Sequence, residues 1–137
     1  MRLLLTDATC RMIDKYLEIL YNYSMNDIFF MNDRDKIIYL AGIIDGEGHF
    51  YRPFVKAGHR ESGYKEPRLV IANTDKTLID WLASNFGGYV YAQKKQKAYY
   101  KQAYQWVIAG KRATMIASMV SPFLIVKRER VKRLLTG

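Results

Sequence analysis

Disulfides cannot hold this chain together. Its 137 residues contain one cysteine, Cys10, which excludes an intramolecular disulfide and a cysteine-based metal cluster and fits a reducing, intracellular setting. Long apolar runs are equally scarce. Met1 to Leu5 is too short for a secretory leader and no cleavage-site pattern follows it, while the apolar run Ile37 to Ile44 falls far below the length that spans a bilayer. Lying on a membrane would take a basic amphipathic helix, which only the C-terminal residues can supply. No membrane partner is therefore expected, and the compartment is read as cytoplasm, nucleoid or organelle. Acids are missing from the second part of the chain, where eleven Lys or Arg between Lys94 and Arg133 stand against a single acid, Glu129.

That shortage gives the charge a direction. Residues 1–34 hold four basic and five acidic side chains, so against a net charge of +9 for the whole chain residues 35–137 carry +10. A polyanion-binding surface belongs there. Lysines interleaved with tyrosines, at a pI near 9.7, favour nucleic acid over a mere solubility device. An apolar share of 50% in a chain of this length suits one domain with a sizeable core.

The stretch Tyr39 to Phe50, YLAGIIDGEGHF, organises the rest. Ile37, Leu40, Ala41 and Ile44 recur at helical spacing, and Asp33 or Asp35 stands ahead as an N-cap. The run breaks at Gly46 and Gly48, which flank Glu47, and passes into the β-prone residues His49, Phe50 and Tyr51. A carboxylate is thereby predicted at a helix-to-strand corner. Ala41, Gly42 and Gly46 strip bulk from one helix surface, which either lets a second protein helix approach closely or simply ends an ordinary core helix.

The remaining elements follow from periodicity. Thr6 to Tyr23 reads as a helix with Ile13, Tyr16, Leu17, Leu20 and Tyr21 on one stripe and Thr6 or Asp7 as its cap, and Ser24 to Arg34 reads as a connection. Gly48 to Ala57 and Tyr64 to Asn73 form a hairpin around the loop AGHRESG, with Phe50, Phe54, Leu69 and Ile71 able to face a core. Asn73 to Thr77 starts a helix that Gly87 and Gly88 end. A second hairpin pairs Tyr89–Lys95 with Ala98–Ala109 across the turn KKQK, with Ala103 and Val107 directed inward. Helices over Lys111 to Val120 and Val126 to Leu135 complete the chain.

Leu40 to Gly48, LAGIIDGEG, closely resembles the nine-residue signature of the LAGLIDADG homing endonucleases. Six of the nine positions are identical, and Ile43, Gly46 and the conservative Glu47 depart. The coarse element order is similar to that family's αββαββα core over roughly residues 35–130. The resemblance implies an α+β fold in which a four-stranded antiparallel saddle sheet, backed by helices, lies over the DNA major groove. Residues 1–34 are expected as an N-terminal helical extension, chiefly covering the core, and residues 35–137 as the core domain.

The resemblance also implies an activity. With one copy of the motif in the chain, a homodimer is expected, its helices packed through Leu40, Ala41, Gly42, Ile44 and Asp45, bringing two Glu47 carboxylates to a two-fold axis. Glu47 and the backbone carbonyl of Gly46 would hold Mg²⁺ or Mn²⁺, Asp75 would orient the attacking water, and Lys127 would steady the transition state. Asp45 would brace the helix end. Base reading is expected from His49, Tyr51, Arg68, Tyr91, Gln93, Lys95, Gln102 and Tyr104, and phosphate positioning from Lys94, Lys97 and Lys101. The expected function is intron-homing cleavage of double-stranded DNA at a long pseudo-palindromic site. The alternative is a LAGLIDADG-derived maturase with intron RNA as partner, or a non-cleaving DNA-binding regulator.

Overall fold

The computed structural model describes residues 7–22, 31–56 and 63–136. Two compact units divide the chain, residues 1–36 and 37–137. Helix α1 (Asp7–Asn22) lies in the first, where the apolar spacing requires it. Its predicted cap Thr6, the side chains of Leu20 and Tyr21, most of the predicted connection over 24–34 and the loop at 57–62 lie outside the described residues and side chains.

Helix α2 (Asp33–Glu47) carries the motif. Its cap is neither Asp33 nor Asp35. Asn32 takes that place, its side-chain Oδ1 accepting the Asp35 N–H at 2.8 Å while its carbonyl takes the Lys36 N–H at 3.0 Å. The two aspartates occupy the first turn instead, where the helix dipole favours them.

The predicted first hairpin is split in two. Strand β1 (Gly48–Tyr51) is followed by β2 (Phe54–Lys56), and β3 (Gly63–Lys65) by β4 (Arg68–Asn73). Pro53 and Pro67 stand at the two breaks, and proline has no N–H to give a ladder. One bond, Glu66 N–H to the Pro53 carbonyl at 3.0 Å, carries the pairing across. The β2–β3 ribbon stands as its own two-stranded sheet and leaves Phe54 exposed rather than in the core.

The main sheet is antiparallel, in the order β1-β4-β6-β5, with β5 (Tyr89–Ala92) and β6 (Tyr104–Ala109) supplying its second half. Between them, residues 93–103 form a loop rather than the long hairpin arms predicted. Gln93 N–H still reaches the Ala103 carbonyl at 2.8 Å, but the Gln102 side-chain amide donates to the carbonyls of Gln93 and Ala103, closing the loop.

Among the described residues of the second unit, helices cover one face of that sheet. Phe50, Leu69, Ile71, Trp106 and Ile108 point into a core completed by α2, α3 (Lys76–Phe86), α4 (Lys111–Val120) and α5 (Arg128–Thr136). Trp106 sets the facing of β6: it is fully buried, and its indole N–H donates to the Gly87 carbonyl at 2.7 Å. The inward reading of Val107 is thereby corrected. An indole needs more depth than an aliphatic side chain, so Val107 and Gln105 turn to the uncovered face. Gly88, at φ 89°, runs so close to this strand that a Cβ there would lie 2.6 Å from the Val107 carbonyl oxygen. The result is an α+β fold in which α2 to α5 pack behind a four-stranded antiparallel sheet. No helix among the described residues is long and apolar enough to cross a membrane.

Candidate active site

The last turn of α2 is held by a reciprocal exchange with the segment ahead of α5. Asp45 accepts the backbone N–H groups of Ile125, Val126 and Lys127 at 2.8, 3.1 and 3.0 Å. Lys127 returns the bond, its Nζ donating to the Ile44 carbonyl at 2.6 Å and to the Gly48 carbonyl. An acid of one element thus satisfies the free amides of the other, and a lysine satisfies carbonyls that a helix end leaves without partners. Burial pushes the Asp45 carboxyl up, but the three amides and the Lys127 charge outweigh it and hold its pKa below the ordinary value. Burial likewise lowers the Lys127 pKa; Asp45 opposes this and Arg130 reinforces it.

Glu47 emerges from this brace as an exposed carboxylate. Asn73, at the end of β4, donates from Nδ2 to its Oε2 at 2.8 Å, while Asn73 Oδ1 accepts the Asp75 N–H at 2.8 Å. Gly48 allows the tight corner that follows, since a Cβ there would stand 2.8 Å from the Ile44 Cα.

Beyond that corner lies the uncovered sheet face, a concavity of about 740 Å³. Register places its side chains in rows: Tyr51, Arg68 and Ala109; then His49, Val70, Val107 and Tyr89; then Ala72, Gln105 and Tyr91. Glu47 stands at its edge. His49 stacks on Tyr51 at 5.2 Å and meets Arg130 Nη1 at 3.4 Å. Arg68 is paired with Glu66 at 3.1 Å, and Glu66 and Tyr51 together raise its already high pKa.

A second surface lies on α2 itself. Ile38, Tyr39, Gly42, Ile43 and Gly46 form an open apolar groove of about 530 Å³ with Leu78 and Glu47. A Cβ added at Gly42 or Gly46 would meet nothing within 4 Å, so the protomer's own packing does not require glycine at either position.

No family model and no curated protein matches the chain. Solved structures do. The homing endonuclease I-CvuI in complex with its target superposes with a TM-score of 0.61 at 18% identity, over 76% of this chain and 66% of that one. The archaeal intron-encoded homing endonuclease I-Vdi141I, complexed with DNA, gives 0.59 at 17% identity over 75% and 66%. The I-SmaMI LAGLIDADG homing endonuclease bound to cleaved DNA gives 0.55 at 17% identity, over 73% of this chain and 34% of that one.

The chain has the LAGLIDADG homing endonuclease fold. Within the LAGLIDADG fold the predicted site residues separate. Glu47 and Gly46 fall at the corner, and His49, Tyr51, Arg68 and Tyr91 share the open face. Gln93, Lys94, Lys95, Lys97 and Lys101 lie in the 93–103 loop, with the Lys97 ammonium over the rings of Tyr99 and Tyr100 at 5.6 and 5.9 Å.

Several expectations are corrected. Leu40, Ala41 and Ile44 are fully buried in the protomer's own core and are closed to a second chain; the exposed stripe is Ile38, Tyr39, Gly42 and Gly46, with Ile43 half-buried beside it. Asp45 is engaged within the protomer by the backbone of 125–127. Tyr104 turns to the core side, where it packs against buried residues and takes the Lys76 ammonium over its ring at 5.9 Å, and the Gln102 amide is used within its loop. Asp75 is an N-cap, its carboxylate accepting the Thr77 N–H at 2.9 Å, whereas the side chain at Glu47 is Asn73. Sequence reasoning missed Asn73, Gln105 and Tyr89. The signal for the last two was Trp106, whose burial fixes the facing of both strands.

Proposed function

We infer that this chain is a site-specific double-strand DNA endonuclease that works as a pair of identical chains and hydrolyses phosphodiesters at Glu47 with a divalent cation. The observation that carries this reading is the position of Glu47, an exposed carboxylate steadied by Asn73 where α2 meets an open, strand-built concavity. A two-stranded antiparallel ribbon fits the major groove. The lysine-rich 93–103 loop supplies the complementary charge that phosphates require.

The donor set fits Mg²⁺ or Mn²⁺. Hard cations take oxygen ligands, and Mg²⁺ commonly uses one or two carboxylates while substrate phosphate and water fill the other positions. Glu47 and the Gly46 carbonyl have that character, at the electronegative C-terminal end of α2. Among the described residues no group of three or more His, Cys, Asp or Glu side chains comes together, so the sparse pattern is the one available. Bound there, the cation supplies phosphate charge neutralisation and a more acidic water. The chain's own residues hold the geometry. Asn73 fixes one Glu47 oxygen, Lys127 ties the backbone on both sides of Glu47, and Asp45 anchors that lysine's segment.

Pairing is supported by the open stripe on α2. Ile38 is 41% and Tyr39 49% exposed, and the empty space over Gly42 and Gly46 suits a second helix at close approach. A two-fold axis there brings two Glu47 carboxylates together and two half-sites into register, and the biological setting is intron homing. The maturase and regulator readings keep the fold without the cut; the exposed Glu47 favours the nuclease. The test is cleavage of a pooled library of intron-insertion-type duplexes with Mg²⁺, beside Glu47→Gln and a chelator. Paired cuts absent from both controls are expected. Binding of DNA or RNA without cleavage under any divalent cation would transfer the function to the regulator or the maturase.

A further inference from the structure

The open face differs from the loop that borders it. Lysines crowd residues 93–103, yet the residues lining the concavity include a single permanent cation, Arg68, already paired with Glu66. Its middle is aliphatic. Val70 and Val107 are direct cross-strand partners, and Ala72 and Ala109 extend them along β4 and β6, all four on the uncovered side. Helices already fill the other face, so this strip is not part of the protomer core. Donors stand around it rather than within it: Arg68 at one end, Gln105 at the other, Tyr89 and His49 at the sides.

Among the four bases only thymine presents an apolar group in the major groove, its C5 methyl, and small aliphatic side chains are its partners there. A guanine or cytosine edge over Val70 and Val107 would lose water without gaining a hydrogen bond. We propose that the aliphatic strip Val70–Val107–Ala72–Ala109 selects a half-site whose central base pairs are thymine-rich, bounded by a guanine read by Arg68 and an adenine read by Gln105. This deepens the endonuclease reading and rests on it. It also separates DNA from RNA, because uracil lacks the methyl the strip would contact.

The test uses the full chain in two steps. Duplexes are first selected from a randomised pool by binding at low salt, and each thymine of the preferred half-site is then replaced singly by deoxyuridine, which removes only the methyl. Expected is a T·A-rich centre between one G·C and one A·T pair, with binding about threefold to fourfold weaker for each central methyl removed. In Val107→Thr, which keeps the shape and exchanges one methyl for a hydroxyl, the difference between thymine and uracil should shrink at one position only. A G·C-rich centre, or equal affinity for thymine and uracil throughout, would overturn the proposal and leave the endonuclease reading standing. Failure to bind any duplex would overturn both.

Discussion

Asp45, Lys127 and Asn73 touch no reacting atom in this account, yet they decide where Glu47 stands. The Asp45 carboxylate is engaged by three amides, so the folded chain binds that proton more weakly than the unfolded chain does. Its contribution to stability is present in full above the ordinary value of 3.8 and is lost as pH falls through the lower folded value. Asp45→Asn should weaken the fold by about 1–2 kcal/mol near neutrality and flatten the acid limb, as read by urea unfolding between neutral pH and pH ~3. Asn73→Ala should leave stability nearly unchanged while lowering cleavage about 10- to 100-fold, the usual consequence of removing a partner that orients a ligand. At this scale the sequence disclosed Glu47 through its motif, because glycines on both sides mark a corner there, although they also suit the ordinary end of a core helix. Asn73 and Asp75 were not separable by pattern, since Asn-Thr-Asp reads as helix-start chemistry whichever of them caps. Only folding shows that Asp75 caps α3 while Asn73 turns to Glu47.

Two glycines of the motif make opposite demands on the elements that carry them. At Gly48 a Cβ would press on the Ile44 Cα at 2.8 Å and its carbonyl oxygen at 3.0 Å, between helix and strand backbones that cannot yield separately. Gly48→Ala is expected to cost about 1–3 kcal/mol in denaturant unfolding. At Gly42 the same substitution meets open space, and a helix interior prefers alanine by about 1 kcal/mol, so the isolated protomer should gain stability. Association should weaken instead, which sedimentation at matched concentrations will detect. Element order and type were legible from periodicity: four strands between helices, with the α4 range read off as it stands. The divided hairpin and the facing of β6 were not. Pro53 and Pro67 break the ladder because register sets them at neighbouring positions on facing strands, Pro53 opposite Glu66 and Pro67 opposite Arg52, and the placement of Trp106 against Gly87 is a long-range contact that alternation along one strand does not encode.

The whole molecule couples these parts across two surfaces. Helix α2 offers its glycine stripe to one side and its end, through Glu47, to the concave sheet face on the other. The motif itself hid which helix face serves which purpose, because Leu40, Ala41 and Ile44 are as apolar as Ile38 and Ile43; the covering of the sheet assigns the first set to the core. Charge follows the same division, with the loop lysines set apart from the aliphatic strip.

Cleavage by mixed pairs of chains joins both halves of the account. Wild-type and Glu47→Gln chains, denatured and refolded together in equal amounts, are assayed with Mg²⁺ on a supercoiled plasmid carrying the selected site. Nicked circles are expected from mixed pairs beside linear product from wild-type pairs, because each Glu47 serves one strand. Linear product alone, in simple proportion to the wild-type chains, would contradict it by showing that each chain cuts without a partner's carboxylate.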